Sequence, residues 1–248
     1  MKHLLLLSLA LVALPFGIHG QTVGTLLNTE LAFDGYTLVD PMGMSRLLAE
    51  DAGNKAETVA ALWREKQLEF SFRKGLMKVY EDFGVCTRQA LRYAMAAHKL
   101  TLSEERENVL MAAYLSLPAF DDALPALKSL RGEYPVFAFS NGGYPALEKV
   151  LGHNDLLDQF EGLVSVDDIK SFKPDPAVYA YARRATGSWE KPLCLVSSNA
   201  WDVIGARAAG LLAVWVKRDP DKVFEDWGIE PSAVISSLSE LPEILKGL

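Results

Sequence analysis

Cysteine and histidine, the usual zinc ligands, are scarce in this chain of 248 residues, which has only two cysteines and four histidines. The histidines are scattered along the sequence at His3, His19, His98 and His153. No Cys/His cluster has the spacing of zinc ligands, so we predict no structural zinc. Cys86 lies in a polar helical context and Cys194 in the apolar run LCLV, which favours two free, buried thiols over a disulfide.

Clustered positive charge is also missing. The chain has 25 Lys and Arg against 32 Asp and Glu, a formal charge of −7, with no Lys/Arg-dense patch. Because phosphate contacts need clustered cations, nucleic acid is excluded as a partner, and a small anionic ligand would have to be held by a few local groups. Repeats, low-complexity segments and charge blocks are absent. Half of the residues are apolar, enough for one large domain or a core domain with an insert.

The first twenty residues, MKHLLLLSLALVALPFGIHG, have a short basic start, an apolar stretch and a small residue before Gln21. This order is typical of a secretory signal peptide. The alternative is an uncleaved membrane anchor, but the stretch is short for a bilayer core of ~30 Å and contains Pro15. We therefore expect a mature protein that begins near Gln21, is periplasmic or secreted, and has no stable membrane association.

Five apolar runs recur between helical stretches. They are ELAF before Asp34, VFAF before Ser140, GLVSV before Asp167, LCLV before Ser197 and LAVWV before Lys217. Continuous short apolar runs that alternate with helices are typical of parallel strands buried on both faces, so the sequence predicts an α/β fold. The long stretch between the first two runs has helical periodicity and no strand signal. We expect residues 41–118 to form an inserted helical cap on a core of residues 21–40 and 119–248, over the carboxyl ends of the strands.

Polar side chains follow several of these runs. They are Asp34 and Thr37 after the first, Ser140 and Asn141 after the second, Lys173 in a proline-flanked loop after the third, and Ser197, Ser198, Asn199 and Asp202 after the fourth. Each has an ordinary interpretation as a helix cap or a solvated charge. Their coincidence at strand ends, which meet at one edge of a parallel sheet, predicts an active site there.

Charge and backbone geometry give two of these positions a specific role. Lys173, on a loop stiffened by prolines, can reach Asp34 and keep that carboxylate ionised. Gly142 and Gly143 follow Ser140 and precede a helix, whose free N–H groups and dipole can hold an anion. From these residues alone, Asp34 is either a structural cap or a nucleophile.

Several motifs resemble those of the haloacid dehalogenase superfamily, in particular the L-2-haloacid dehalogenase (type II) family. They are FD followed by YTL, LWREKQLEFSF, FSNG, SVDDIKSFKPDPAVY and VSSNAWD, and the resemblance covers nearly all of the mature chain. It implies a Rossmann-like core with a helical cap, a homodimer, no cofactor or metal, and hydrolysis of (S)-2-haloalkanoic acids to (R)-2-hydroxy acids. Superfamily phosphatases carry a second acid where this chain has Tyr36, so a Mg-dependent phosphatase would lack its proton donor here.

The resemblance also implies roles for individual residues. Asp34 would attack the halogen-bearing carbon to form an ester, with Thr37 orienting it, and Lys173 would steady its charge and bind the substrate carboxylate together with Ser140. The remaining matches are Arg64 and Asn141 for the halide, Ser197, Asn199 and Asp202 for the hydrolytic water, Tyr179 as a buried site tyrosine, and Tyr36, Leu68, Phe83 and Trp201 as an apolar wall. From the residues alone, Leu68 and Phe83 would be core packing and Arg64 an exposed helix residue.

The loop after the first strand departs from the family pattern, because D-G-Y-T-L is one residue shorter than Asp, any residue, Tyr, Gly, Thr, Leu. Either Asp34 stays in place, or the register slides and Phe33 takes the catalytic position. A slide would bury the Asp34 charge, which is the costlier option, so we keep Asp34 as the nucleophile. The shorter loop can displace Thr37 by up to ~3 Å, which predicts weakened activity.

Two other functions fit the same residues. One is hydrolysis of another small substrate, such as a phosphate ester. The other is an inactive protein of this fold that binds small carboxylates through the Ser140 turn and Arg64.

Overall fold

A six-stranded parallel sheet forms the centre of the computed structural model, which describes residues 29–248. The strands are β1 (Glu30–Asp34), β2 (Val136–Ser140), β3 (Gly162–Ser165), β4 (Leu193–Ser197), β5 (Leu212–Val216) and β6 (Ala233–Ile235). Their order across the sheet is β3-β2-β1-β4-β5-β6. Each of the five apolar runs forms a strand, so the predicted α/β class is confirmed. The three-residue edge strand β6 was not predicted, and the predicted signal segment lies outside the described residues.

Side chains of the central strand β1 alternate between two apolar cores. Leu31 and Phe33 belong to one core, and the Phe33 ring meets the Phe160 ring edge-on at 6.4 Å. Ala32 belongs to the core on the other face. Because strand side chains alternate, Asp34 follows Ala32 onto that second face at the point where the strand ends.

Ten helices accompany the sheet in the described part of the chain. They are α1 (Gly35–Leu38), α2 (Met44–Ala52), α3 (Ala56–Met77), α4 (Phe83–Ala97), α5 (Glu104–Tyr114), α6 (Ala123–Leu130), α7 (Tyr144–His153), α8 (Pro176–Thr186), α9 (Ala200–Ala208) and α10 (Leu241–Gly247). Within residues 41–118 there are helices and no strand, which agrees with the predicted insertion. An isolated bridge between Val39 and Ala119 joins the two chain segments that lead into and out of it.

Helices α2 to α5 lie within residues 41–118, the segment predicted to form the cap. Asp82 and Ser103 cap α4 and α5 by accepting hydrogen bonds from backbone N–H groups of the first turn. The buried Trp63 of α3 donates its Nε1–H to the Thr87 carbonyl of α4 at 2.8 Å and packs against the ring of Tyr114 on α5. The three helices therefore share one interior. The exact limits of the cap remain a prediction.

Both cysteines are free and buried, as predicted. Burial raises the pKa of Cys86 to about 11 and that of Cys194 to about 12, so both stay protonated at neutral pH. Among the described helices, none is both long and apolar enough to span a bilayer.

Candidate active site

The Asp34 carboxylate lies at the carboxyl end of β1, almost wholly shielded from solvent. Its Oδ1 is 3.3 Å from Lys173 Nζ, and its Oδ2 accepts a hydrogen bond from Asn199 Nδ2 at 3.0 Å. Although Asp34 directly precedes α1, its side chain makes no capping hydrogen bond. The side chain of Phe33 lies in the core on the opposite face. The structure therefore places Asp34, and not Phe33, among the polar strand-end residues.

Lys173 is a fully buried cation between two carboxylates. Its Nζ donates to Asp34 Oδ1, to Asp202 Oδ2 at 3.0 Å and to the Phe139 carbonyl at 3.0 Å. An ammonium group has three N–H donors, so all three have acceptors inside the protein. The predicted contact with Asp34 is present. The predicted contact of Lys173 with a substrate carboxylate stays a prediction.

Asp202 and Tyr179 complete this buried cluster. Asp202 lies in the first turn of α9, and its Oδ1 accepts a hydrogen bond from the Tyr179 hydroxyl of α8 at 2.8 Å. Burial raises the pKa of Asp202, and the neighbouring Lys173 cation opposes the rise. Burial also raises the pKa of Tyr179 well above its ordinary value, so its hydroxyl remains a donor. The sequence predicted all four groups, and the structure brings them together.

Thr37 does not contact Asp34 in the described hydrogen bonds. Its Oγ1 accepts from the Ser198 backbone N–H at 2.8 Å, and Ser198 Oγ donates to the Tyr36 carbonyl at 3.3 Å. Ser197 Oγ in turn accepts from the Asn199 backbone N–H at 3.2 Å. In the shortened loop α1 begins directly after Asp34, and Thr37 supports the loop that carries Asn199. The predicted role of Thr37 in orienting Asp34 stays a prediction, and the described path between them runs through this loop.

The turn after β2 is organised by its own side chains. Ser140 Oγ accepts from the Gly142 N–H at 2.9 Å, and Asn141 Oδ1 accepts from the Lys173 N–H at 3.0 Å. A Cβ at Gly142 would lie 3.3 Å from Ser140 Oγ, so this tight turn favours glycine. Asn141 thereby holds the loop that carries Lys173, which the sequence did not predict.

Arg64 of α3 lies over the loop that follows Asp34. Its guanidinium carbon is 4.0 Å from the centre of the Tyr36 ring, and its Nη1 donates to Gln67 Oε1 at 2.6 Å. This half-buried position differs from the alternative of an exposed helix residue. The cap thus places the Arg64 cation over the ring of Tyr36, which is two residues after the candidate nucleophile Asp34.

The predicted apolar wall spans the boundary between the cap and the core. Phe83 and Leu68 pack into the core cluster on the Asp34 face, where Phe83 lies 6.1 Å from the ring of Phe172. Trp201 at the start of α9 packs edge-on against Phe72 of α3 at 5.0 Å. These contacts hold the cap on the strand ends.

A cavity of about 790 Å³ lies between the strand ends and helices α4 and α5. Tyr36, Phe83, Ser140 and Gly142 line the side next to the polar cluster, while Met111 and Val150 are among the apolar residues that line the remainder. Small-molecule sites have volumes of roughly 300–1,000 Å³ and mostly apolar walls. This cavity has room for a small carboxylic acid beside the Ser140 turn.

Four polar residues near the site were not predicted from the sequence. Gln67, Thr87 and Tyr114 are buried beside Arg64, and Lys222 donates to the Ser198 carbonyl at 3.1 Å. Burial, together with the charge of Arg64, lowers the pKa of Lys222. A signal for Gln67 exists in the sequence, because it occupies a buried stripe of α3 with Trp63 and Ser71, where an apolar residue is the norm.

Among residues 29–248, no group of three or more His, Cys, Asp or Glu side chains could hold a metal ion. The absence of a metal requirement remains a prediction from the family resemblance and from Tyr36.

A parallel sheet with a helical insertion after its central strand, and with an Asp–Lys–Asp cluster at the strand ends, defines an α/β enzyme with a Rossmann-like core and a helical cap. The family model for haloacid dehalogenase-like hydrolases matches residues 23–210. (S)-2-Haloacid dehalogenase 2 of Pseudomonas sp. (strain CBS-3) is 36% identical over 217 residues, which cover 87% of this chain and 94% of the relative. The (S)-2-haloacid dehalogenase of Pseudomonas sp. (strain YL) is 35% identical over 87% of this chain and 94% of its own length.

Solved structures agree with these relatives. The L-2-haloacid dehalogenase from Xanthobacter autotrophicus, with chloropropionic acid covalently bound, matches with a TM-score of 0.83 and 28% identity over 89% of this chain and 99% of that one. The chain belongs to the haloacid dehalogenase-like hydrolases, within the L-2-haloacid dehalogenase family. The resemblance inferred from the motifs is thereby confirmed.

Proposed function

We propose that this protein hydrolyses (S)-2-haloalkanoic acids to (R)-2-hydroxy acids through an ester on Asp34. The observation that carries the proposal is the environment of the Asp34 carboxylate, which Lys173 and Asn199 hold from two sides. The next residue, Gly35, lines the cavity beside the Ser140 turn. A carboxylate beside a buried cation stays ionised and is therefore nucleophilic. Curated relatives that are (S)-2-haloacid dehalogenases support the same reaction.

In the first step, a carboxylate oxygen of Asp34 attacks C2 of the substrate from the side opposite the halogen. The new C–O bond forms as the C–halogen bond breaks, the halide leaves with the bonding electrons, and C2 is inverted. Arg64 stabilises the departing anion, with Asn141 assisting it, because a halide released into a water-poor pocket needs a nearby cation. Ser140 and the N–H groups of its turn bind the substrate carboxylate.

In the second step, water adds to the Asp34 carboxyl carbon of the ester. Asp202 accepts the proton from this water, and burial suits it to that task by raising its pKa. Ser197 and Asn199 shape the loop beside the ester. The bond between that carbon and the substrate oxygen then breaks, the 2-hydroxy acid takes up a proton, and the Asp34 carboxylate is restored.

The apolar wall of Tyr36, Leu68, Phe83 and Trp201 would surround the substrate's alkyl group. Most of these side chains also pack against the protein, so the wall is rigid. A rigid wall favours one enantiomer by fixing C2 relative to Asp34.

Export and dimerisation belong to the same proposal. The charge and apolarity pattern of residues 1–20 supports removal of a signal peptide and a periplasmic or secreted location. The family resemblance supports a homodimer. N-terminal sequencing of the mature protein and light scattering would test the two points separately.

The function is tested by supplying each enantiomer of 2-chloropropionate to the purified protein and measuring chloride release and product chirality. We expect chloride and (R)-lactate from the (S) substrate alone, without added metal. Tight binding of the (S) substrate without chloride release would instead favour a carboxylate-binding protein. Magnesium-dependent release of p-nitrophenol from its phosphate, without dehalogenation, would favour a phosphatase.

A further inference from the structure

Gln67 connects three helices of the cap with the loop that follows Asp34. It is fully buried in α3, and its Oε1 accepts from Arg64 Nη1 at 2.6 Å and from the Tyr114 hydroxyl of α5 at 2.9 Å. Its Nε2 donates to Thr87 Oγ1 of α4 at 2.6 Å and lies 3.5 Å from the Tyr36 hydroxyl. Every polar atom of this amide is therefore used.

The direction of the amide is set by Thr87. The Thr87 hydroxyl donates its proton to the Phe83 carbonyl at 2.7 Å, so toward Gln67 it can only accept. The NH₂ group of Gln67 must therefore face Thr87, and the Gln67 oxygen must face Arg64. The reverse orientation would place N–H donors against the guanidinium donors of Arg64.

The contacts described for Arg64 are with neutral groups. Among residues 29–248 no salt bridge involves Arg64, which donates to the Gln67 amide and lies over the face of the Tyr36 ring. Burial raises the pKa of Tyr36 well above its ordinary value, so its hydroxyl is uncharged. The positive charge of Arg64 is thus held in place without a counter-ion from the described part of the chain, and it remains available to an external anion.

The same network reaches the core. The Tyr36 and Tyr114 hydroxyls lie 2.5 Å apart, and Tyr36 is two residues after Asp34. Gln67 therefore sets the position of Arg64 relative to the loop of the nucleophile as well as relative to the cap.

We propose that Gln67 is a positioning residue for halide release, a neutral amide that directs the Arg64 guanidinium toward the leaving group without cancelling its charge. This inference rests on the proposed function, because it assigns the anion at Arg64 to the departing halide. The competing interpretation is that Gln67 only satisfies buried hydroxyls of the cap. A purely structural role would affect stability but not the response to the leaving group.

The test compares Gln67→Met, which keeps the length of the side chain but cannot hold Arg64, with Ser71→Ala. Ser71 is buried on the same face of α3 one turn further along, and its hydroxyl donates to the Leu68 carbonyl away from Arg64. We expect Gln67→Met to lower kcat for 2-chloropropionate by ~10–100-fold, the cost of a misplaced charge-stabilising group. The loss for 2-bromopropionate should be smaller, because bromide is the better leaving group and needs less stabilisation.

Halide binding gives a readout that does not need turnover. Chloride affinity, measured from ³⁵Cl NMR line broadening, should fall ~10-fold in Gln67→Met and stay within ~2-fold of wild type in Ser71→Ala. Gln67→Glu keeps the shape and acceptor position but adds a negative charge, so we expect it to lose chloride affinity at least as strongly. This second variant supplies the same comparison if the methionine variant does not fold.

The outcomes separate the inference from the function on which it rests. If Gln67→Met is folded and keeps the wild-type bromide-to-chloride rate ratio and chloride affinity, Gln67 is only structural and the inference is wrong. If the wild-type protein binds chloride and Gln67→Met weakens that binding, but neither releases halide from substrate, the proposed function fails while the positioning role stands. If wild type does not bind chloride, the inference fails as well.

Discussion

Two cations serve the candidate site, and the protein holds them in opposite ways. Lys173 of the core is fully buried, and two carboxylates and a carbonyl accept hydrogen bonds from its ammonium group. Arg64 of the cap is half-buried and is held by an uncharged amide and an aromatic ring. The charge of Lys173 is therefore compensated inside the protein, whereas the charge of Arg64 is left for a ligand.

This difference separates two uses of positive charge. Lys173 forms ion pairs with both Asp34 and Asp202, and removing it would leave two buried carboxylates without that cation, which is a stability problem as well as a chemical one. In the proposed reaction, Arg64 acts on a charge that exists only while the halide leaves, so its loss should affect chemistry far more than folding. We therefore expect loss of Lys173 to lower both activity and stability, and loss of Arg64 to lower activity alone.

The largest expected effect on activity comes from Asp34→Ala. Without the attacking oxygen no ester can form, and we expect dehalogenation to fall by ~10⁴-fold or more, as when other nucleophiles are removed. Asp158→Ala, at an exposed position, is the control and should leave the rate unchanged. Chloride release is the measurement. Loss of less than 10-fold in Asp34→Ala would show that another group attacks the substrate.

Lys173→Met tests whether the core cation supports both stability and activity. Breaking a buried ion pair by removing one partner typically costs ~3–5 kcal/mol, and we expect that loss in urea unfolding together with loss of activity. Lys128→Met, at an exposed position of α6 away from the cavity, serves as the matched control. A Lys173→Met protein of wild-type stability would mean that Asp34 and Asp202 share the site without needing the cation.

Arg64→Lys tests whether the cap cation supports activity without supporting stability. A lysine keeps the charge but lacks the planar group that stacks on Tyr36 and reaches Gln67. We expect kcat to fall by ~100–1,000-fold, with a change in the free energy of unfolding of at most ~1 kcal/mol. A stability loss as large as that of Lys173→Met would remove the distinction between the two cations.

Tyr114→Phe probes the neutral network behind Arg64. The variant loses the hydroxyl contacts with Gln67 Oε1 and the Tyr36 hydroxyl but keeps the ring that packs on Trp63. We expect a loss of ~1 kcal/mol in unfolding free energy and a several-fold fall in kcat. Tyr93→Phe, a half-exposed tyrosine of α4, should change neither quantity. Equal behaviour of the two variants would argue against the network.

The smallest effect concerns the response of the cap to pH. Hydrogen bonds from Arg92 and Arg88 hold the pKa of the buried Glu107 below its ordinary value. A carboxylate with a lowered folded-state pKa stabilises the fold above its unfolded pKa of ~4.3, and this stabilisation is lost as the pH falls through the folded-state value. Glu107→Gln should therefore melt at a lower temperature than wild type at neutral pH, and the difference should shrink on acidification. A constant difference would contradict this assignment.

The core half of the site could be predicted from the sequence because each of its groups directly follows an apolar strand. Asp34, Lys173, Asn199 and Asp202 meet because parallel strands end at one edge. The same rule does not say which atoms pair. Alternation along β1 explains why Asp34, and not Phe33, lies on the face of the site. The sequence does not show that all three N–H groups of Lys173 have acceptors in the protein, or that Thr37 accepts a hydrogen bond from Ser198.

The cap half could not be predicted in the same way. Helical periodicity indicates where α3 lies and which face is buried, but the partners of a buried amide depend on how three helices pack together. Gln67, Thr87 and Tyr114 are 20 or more residues apart in sequence and meet only in the folded cap. The edge strand β6 escaped prediction for a simpler reason, since three residues are too few to show a pattern.

A single-turnover reaction in heavy-oxygen water tests the central claim most directly. With enzyme in large excess over (S)-2-chloropropionate, water should attack the ester at the Asp34 carboxyl carbon, so mass spectrometry should find the label in the peptide that contains Asp34. The first lactate formed should carry none. Lactate labelled in that first turnover, with an unlabelled Asp34 peptide, would mean that water attacks the substrate directly and that no ester forms on Asp34.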